Sequence, residues 1–73
     1  MKIKTTDIIE YIIMLINDFA NYVGLTERQA YLYLKNHDAI QFIEKHYGIM
    51  HTLDSQESID SLINFCRKSG GNI

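Results

Sequence analysis

The sequence predicts an all-α fold, a small compact bundle of about four helices in one domain that covers residues 1–73. Three observations predict it: apolar residues recur at three- and four-residue steps, capping signals precede each such block, and glycines separate the blocks. Proline is absent, so glycines and capping residues must set the helix ends. A chain of 73 residues has room for one core, which we expect within about residues 6–69.

The first predicted helix begins at Thr6 or Asp7 and ends at Gly24. Asp7 and Glu10 have the spacing of a capping box with Asp7 as the N-cap. The main apolar face consists of Ile8, Ile12, Leu15, Phe19, Tyr22 and Val23. Four further residues widen that face: Ile9, Ile13, Ile16 and Ala20. A helix with so wide an apolar surface is either central in the core or faces a second protein.

Two short helices are predicted in the middle of the chain. The first has Thr26 and Gln29 at capping-box spacing and runs to about Asn36, followed by a kink or tight turn. The second repeats the capping signal with Asp38 and Gln41. It is predicted to end at Gly48, and residues 49–53 are then expected to be extended.

The last predicted helix follows a capping box formed by Asp54 and Glu57. It has a clean amphipathic stripe that consists of Ile59, Leu62, Ile63 and Cys66, widened by Phe65. Two basic residues favour the negative end of the helix dipole ahead of Gly70, namely Arg67 and Lys68.

The composition excludes several classes of protein. Hydrophobic residues make up 47% of the chain and charged residues 22%, which is too apolar for a disordered segment. The net charge of -2 disfavours a non-specific binder of nucleic acid or of an anionic membrane, because such binding needs a basic excess. The single cysteine, Cys66, excludes an internal disulfide framework and fits a reducing compartment.

The N-terminal sequence differs from a signal peptide in one decisive respect. Lys2 and Lys4 precede an apolar stretch, but Asp7 and Glu10 lie where a signal core has to be uncharged. A helix that spans a membrane needs about 20 apolar residues, and the uninterrupted run is only 11–16. We therefore expect a cytoplasmic protein without a membrane segment.

Residues that are capable of chemistry do not form a convincing set. His46, His51 and Cys66 are metal-ligand types, but their spacing matches no metal motif, so we expect neither a metal nor another cofactor. Cys66 is expected to be a buried structural thiol, while His51 and Thr52 are expected to satisfy backbone groups ahead of the last helix. Without a nucleophile pair, a phosphate loop or room for a cleft, the sequence predicts that the protein is not an enzyme.

Several segments resemble a family of short bacterial proteins, domain-of-unknown-function family thirty-seven ninety-one. The resemblance spans roughly residues 8–70, and the segments that carry it are 31–34, 40–47, 51–52 and 62–67. Its most specific part is a motif that consists of His46, Tyr47, His51, Thr52, Phe65 and Cys66. Family members are often encoded beside a larger protein that resembles an ADP-ribosyltransferase. The resemblance therefore implies a small, antitoxin-like partner of a toxin-like enzyme, and it implies no catalytic residue.

The apolar and tyrosine content predicts a protein partner. Tyr31 and Tyr33 are two positions apart, about 200° around a helix, so at least one of them points away from the core. The expected partner-binding residues are Ile9, Ile13, Ile16, Tyr31 and Tyr33. Self-association is the competing use of the same surface.

A DNA-binding helix-turn-helix is the alternative interpretation of residues 16–35. Ala20, Gly24 and Leu25 occupy the positions where such a motif has a small residue, a turn glycine and an apolar residue. The recognition helix would present Thr26, Glu27, Arg28 and Tyr31 to the major groove. Because its only basic residues are Arg28 and Lys35, phosphate binding would be weak, and nucleic acid is the less favoured partner.

Overall fold

The computed structural model describes residues 4–73, which contain four helices and no strand: α1 (Thr5–Val23), α2 (Glu27–Asn36), α3 (Ala39–Met50) and α4 (Ser55–Lys68). The predicted all-α fold and the predicted number of helices are confirmed. Lys2, used in the comparison with signal peptides, lies outside the described residues. Within the described part of the chain, no single helix is both long and apolar enough to cross a membrane.

The start of α1 differs from the prediction. Lys4 is the N-cap, its backbone is extended, and its side chain makes no capping hydrogen bond. Asp7 lies inside the first turn and donates its backbone N–H to the Lys4 carbonyl at 3.0 Å, so the prediction that Asp7 caps the helix is wrong. Extending an existing helix adds backbone hydrogen bonds without a new nucleation cost, which favours the earlier start. Asp7 is instead placed to interact with the positive end of the helix dipole.

The turn between α1 and α2 is confirmed in detail. Gly24 adopts a left-handed backbone (φ 77°) and donates its N–H to the Ala20 carbonyl at 2.9 Å. Thr26 and Gln29 form the predicted reciprocal capping box, with hydrogen bonds of 3.1 and 3.0 Å. Across this short connection, α2 turns by 104° from the direction of α1.

The predicted end of α3 is wrong, whereas its predicted start is right in position but lacks the expected capping box. Asp38 is the N-cap, but its backbone is left-handed (φ 59°) and its side chain makes no capping bond, so no box forms with Gln41. The helix also continues through Gly48 to Met50, with a kink at His46 (φ -108°, ψ 16°). Glycine permits a left-handed stop but does not impose one. Because Met50 is buried, continuing the helix places an apolar side chain in the core.

Helix α4 matches its predicted pattern. The Asp54 side chain accepts a hydrogen bond of 2.8 Å from the Glu57 backbone N–H, which confirms the N-cap, although the reciprocal bond of the predicted capping box is not formed. On the predicted stripe, Ile59, Leu62 and Cys66 are buried and Ile63 is half-buried.

The core is not evenly distributed along α1. All four helices contribute buried apolar residues to the core, namely Leu15, Ile16, Phe19, Ala20, Ala30, Leu34, Ala39, Ile43, Met50, Ile59, Leu62 and Cys66. The four that come from α1 all lie in its second half, between Leu15 and Ala20. Tyr22, predicted on the core face, is exposed, whereas Val23 beside it packs against the core. The first half of α1 is therefore covered on one side only, by contacts that involve Tyr11 and Ile12.

Gly24 and Gly48 are both predicted to end a helix, but replacing them with alanine should have opposite effects on the free energy of unfolding. Gly24→Ala places a Cβ on a left-handed backbone and should lower the free energy of unfolding by about 1 kcal/mol, although space for the methyl group is open. Gly48→Ala lies on a helical backbone with open space, so it should raise that free energy by about 0.5–1 kcal/mol. Urea denaturation of both variants measures the difference. Equal destabilisation by the two substitutions would contradict the continuous α3.

Candidate functional site

The candidate site is an apolar surface on the first half of α1. A stripe at four-, three- and four-residue steps runs through Ile9, Ile13, Ile16 and Ala20. Ile16 and Ala20 are only 9% and 2% exposed, whereas Ile9 and Ile13 are 50% and 60% exposed. Met14, next to Ile13, is 47% exposed. We call the surface formed by Ile9, Ile13 and Met14 the α1 face. The same stripe is therefore buried in the core at Ile16 and Ala20 and exposed to solvent at Ile9 and Ile13.

A polar cluster on the opposite side of α1 fixes the rotation of this helix. The Tyr11 hydroxyl donates to the Met50 carbonyl at 3.0 Å. The buried Ser58 hydroxyl lies 3.1 Å from the Tyr11 oxygen and 3.3 Å from the same carbonyl, and it donates to one of them. Residues two positions away from Tyr11 lie 160–200° around the helix, at about 100° per residue. Holding Tyr11 inward therefore points Ile9 and Ile13 outward.

The cluster also provides hydrogen-bond donors for the last carbonyl of α3. Met50 ends α3, so its carbonyl has no partner within that helix and needs donors from elsewhere. Tyr11 and the Leu53 backbone N–H, at 3.0 Å, supply them, and Ser58 adds a third polar group. Sequence reasoning missed Ser58. The signal was present, because Ser58 is a polar residue one turn before Leu62 on the buried side of α4.

The predicted partner-binding residues divide between surface and core. Ile9, Ile13 and Tyr31 are exposed, as the prediction requires. Ile16 is in the core, and Tyr33 stacks on Phe19 with ring centroids 6.2 Å apart. The Tyr33 hydroxyl also accepts a 3.3 Å hydrogen bond from the Ile73 backbone N–H. Neither Ile16 nor Tyr33 is therefore available to a partner in this structure, because the second half of α1 is already covered.

Tyr31 belongs to a different surface. It lines a groove of about 350 Å³ whose lining residues all come from α2, α3 and their connection: Tyr31, Lys35, Asp38, Ile40, Gln41 and Glu44. No residue of α1 lines this groove. The structure therefore does not bring Tyr31 into one groove with Ile9 and Ile13.

The family motif builds the end of α3. The Tyr47 and His51 rings stack with centroids 4.6 Å apart, and the Tyr47 and Tyr11 rings pack edge to face with centroids 5.4 Å apart. His51 Nδ1 lies 2.7 Å from the Tyr47 carbonyl and donates to it, and the Thr52 hydroxyl donates to a carbonyl of the same turn at 2.6 Å. This confirms that His51 and Thr52 satisfy backbone groups ahead of the last helix.

The remaining motif residues pack between α3 and α4. Phe42 contacts His46 and Phe65, with ring centroids 4.7 and 4.3 Å apart. Cys66 is fully buried, and burial raises the pKa of its thiol from 9.0 to about 11. Within residues 4–73, no three side chains of the metal-ligand types His, Cys, Asp and Glu come together.

The Tyr11 cluster should stabilise the fold measurably. Tyr11→Phe removes the hydroxyl that bonds the Met50 carbonyl and should lower the free energy of unfolding by about 1 kcal/mol. Tyr22→Phe is the matched control, because Tyr22 is an exposed tyrosine of the same helix. Chemical denaturation of both variants tests the assignment. If the control loses as much stability as Tyr11→Phe, the cluster is not the cause.

Cys66 should resist thiol reagents in the folded protein. Its raised pKa leaves the neutral thiol dominant at pH 8, and burial blocks access. Labelling with 5,5′-dithiobis(2-nitrobenzoic acid) should therefore proceed only as fast as the chain unfolds and should become rapid in denaturant. Labelling of the native protein at the rate of a free cysteine would show that the thiol is accessible.

Comparison with known proteins identifies the family but no relative of known activity. A family model described as "Protein of unknown function (DUF3791)" matches residues 4–69, nearly the whole chain. Neither the curated proteins nor the solved structures contain a match. The match confirms the resemblance that the motif residues indicate. The chain therefore belongs to the DUF3791 family, whose function is unknown.

Proposed function

We propose that this chain is a small protein-binding module that docks another protein through the α1 face. The observation that supports it is the interrupted stripe: Ile9 and Ile13 continue a line of residues that the core buries at Ile16 and Ala20. Burying apolar surface is favourable by about 25 cal/mol per Å². Adjacent exposed apolar side chains are typical of interaction sites on small proteins. A partner would complete the burial that the second half of α1 begins.

The environments of Cys66 and His51, the side chains with catalytic potential, favour a binding role over catalysis. Cys66 is buried with a raised pKa, which disfavours the reactive thiolate. His51 commits one ring nitrogen to the Tyr47 carbonyl, and its ring stacks on Tyr47. We therefore propose that the protein acts by occupying a surface of its partner.

The resemblance names a candidate for that partner. Family members are often encoded beside a protein that resembles an ADP-ribosyltransferase, and we propose an antitoxin-like role toward such an enzyme. Co-expression with the neighbouring gene product tests this role. The proposal expects co-purification and relief of toxicity. It fails if the two proteins never co-purify and the small protein gives no protection.

A charge placed on the α1 face should strongly weaken docking. Ile13→Asp should weaken binding to the partner at least 30-fold, about the effect of removing one interface hot spot. Leu32→Asp is the matched control, because Leu32 is an exposed apolar residue of α2. Co-purification and calorimetric titration measure both variants, and circular dichroism checks their folding. Equal loss of binding in both variants would rule out a role specific to the α1 face.

A second candidate function is DNA binding, and the geometry of the α1–α2 corner favours it. The 104° change of direction across a short glycine turn is typical of a helix-turn-helix, and Thr26, Glu27, Arg28 and Tyr31 are exposed. The charge of α2 disfavours it, since Arg28 and Lys35 are its basic residues.

The DNA-binding candidate predicts that the protein binds its own promoter and that binding weakens as salt rises. Arg28→Ala should weaken this binding further, because it removes a phosphate or base contact. Electrophoretic mobility shift at two salt concentrations measures both effects. The absence of any shift at low salt would eliminate this candidate.

A further inference from the structure

The α1 face carries a carboxylate among its apolar side chains. Glu10 is exposed and lies three and four positions before Ile13 and Met14, so these two residues are its neighbours on the helix surface. At about 100° per residue Glu10 lies between them around the helix, so a partner that covers the whole α1 face also takes Glu10 out of water.

The rest of α1 has the same sign of charge. Between Thr5 and Val23 the helix has three carboxylates and no Lys or Arg: Asp7, Glu10 and Asp18. Asp18 accepts a hydrogen bond from Ser55 of α4, at 3.2 Å. The nearest basic residue before α1 in the described chain, Lys4, is six positions before Glu10, about 9 Å along the axis. No cation on α1 itself is thus placed to pair with Glu10 when the face is covered.

A second copy of the chain is a poor match for this face. In a two-fold dimer the same patch meets itself, so residues near the axis are brought toward their own copies. Pairing centred on Ile9 and Ile13 would bring the two Glu10 carboxylates close together without a basic residue of α1 between them. Like charges in a partly dehydrated interface repel strongly.

We propose that the occupant of the α1 face is an amphipathic helix of a different protein, with Lys or Arg opposite Glu10. This inference rests on the proposed docking function and specifies the chemistry of the partner. An apolar stripe on that helix would pack along Ile9 and Ile13, which are one turn apart. The basic residue would provide the charge-assisted hydrogen bond that Glu10 needs on losing water.

A peptide library gives a direct test. Helical 18-residue peptides displayed on phage would have a fixed Leu stripe, with flanking positions varied evenly among Lys, Arg, Asp, Glu, Gln and Ser. Peptides are selected on the full chain, and those that also bind Ile13→Asp are discarded. We expect Lys or Arg to exceed Asp and Glu about tenfold at one flanking position. Selection on Glu10→Lys should reverse that preference, and Glu10→Gln should bind the basic peptides about tenfold more weakly.

Each other outcome has a definite meaning. Ile13-dependent peptides without a basic preference, or with one that Glu10→Lys leaves unchanged, would overturn the inference about charge and leave the docking function standing. A complete lack of Ile13-dependent peptides would overturn the α1 face as a helix-binding surface. Analytical ultracentrifugation adds a control. A dimer that Ile13→Asp abolishes and Glu10→Gln strengthens would assign the face to a second copy and overturn the proposal.

Discussion

The arrangement of the helices depends on the need to satisfy one backbone carbonyl. Met50 ends α3 against the core, and its carbonyl has to find donors outside its own helix. Tyr11 donates to it from α1, and the buried Ser58 of α4 lies within hydrogen-bond distance of both. The Leu53 backbone N–H also donates to this carbonyl, so Tyr11 and Ser58 add further hydrogen bonds, each worth about 1 kcal/mol, and the buried Ser58 hydroxyl gains its partners here. These hydrogen bonds therefore hold three helices at one point and fix how α1 is rotated.

That rotation links the fold to the proposed function. With Tyr11 held inward, Ile9 and Ile13 are directed to the opposite side of α1, where both stay at least half exposed in the described part of the chain. The core ends at Leu15 on this helix, so the apolar stripe continues without cover. The residues that stabilise the domain thus also determine which side of it remains available to a partner. Glu10, among the uncovered residues, gives that side a charge preference.

Local signals in the sequence are sufficient to predict most of the fold. They fail where tertiary contacts determine where a helix ends or which side chain is buried. Gly24 ends a helix because the next helix turns away there, whereas Gly48 stays helical because the chain beyond it places Met50 in the core. Periodicity identified the wide apolar surface of α1, but it cannot show that Ile16 is covered and Ile13 is not. That distinction depends on where the other helices lie. The position of Ser58, one turn before Leu62, indicates that it is buried, but its partners at Met50 and Tyr11 are brought to it only by tertiary structure.

The proposed function depends on one stripe of α1 being core at Ile16 and exposed at Ile13. The most direct measurement compares the urea-induced unfolding of Ile13→Asp and Ile16→Asp in the isolated protein. Ile13→Asp should change the free energy of unfolding by less than about 0.5 kcal/mol, as at an exposed position. Ile16→Asp should lower it by at least about 3 kcal/mol, because a charge would enter the core. A comparable loss at both positions would show that Ile13 is part of the core and not an exposed surface residue.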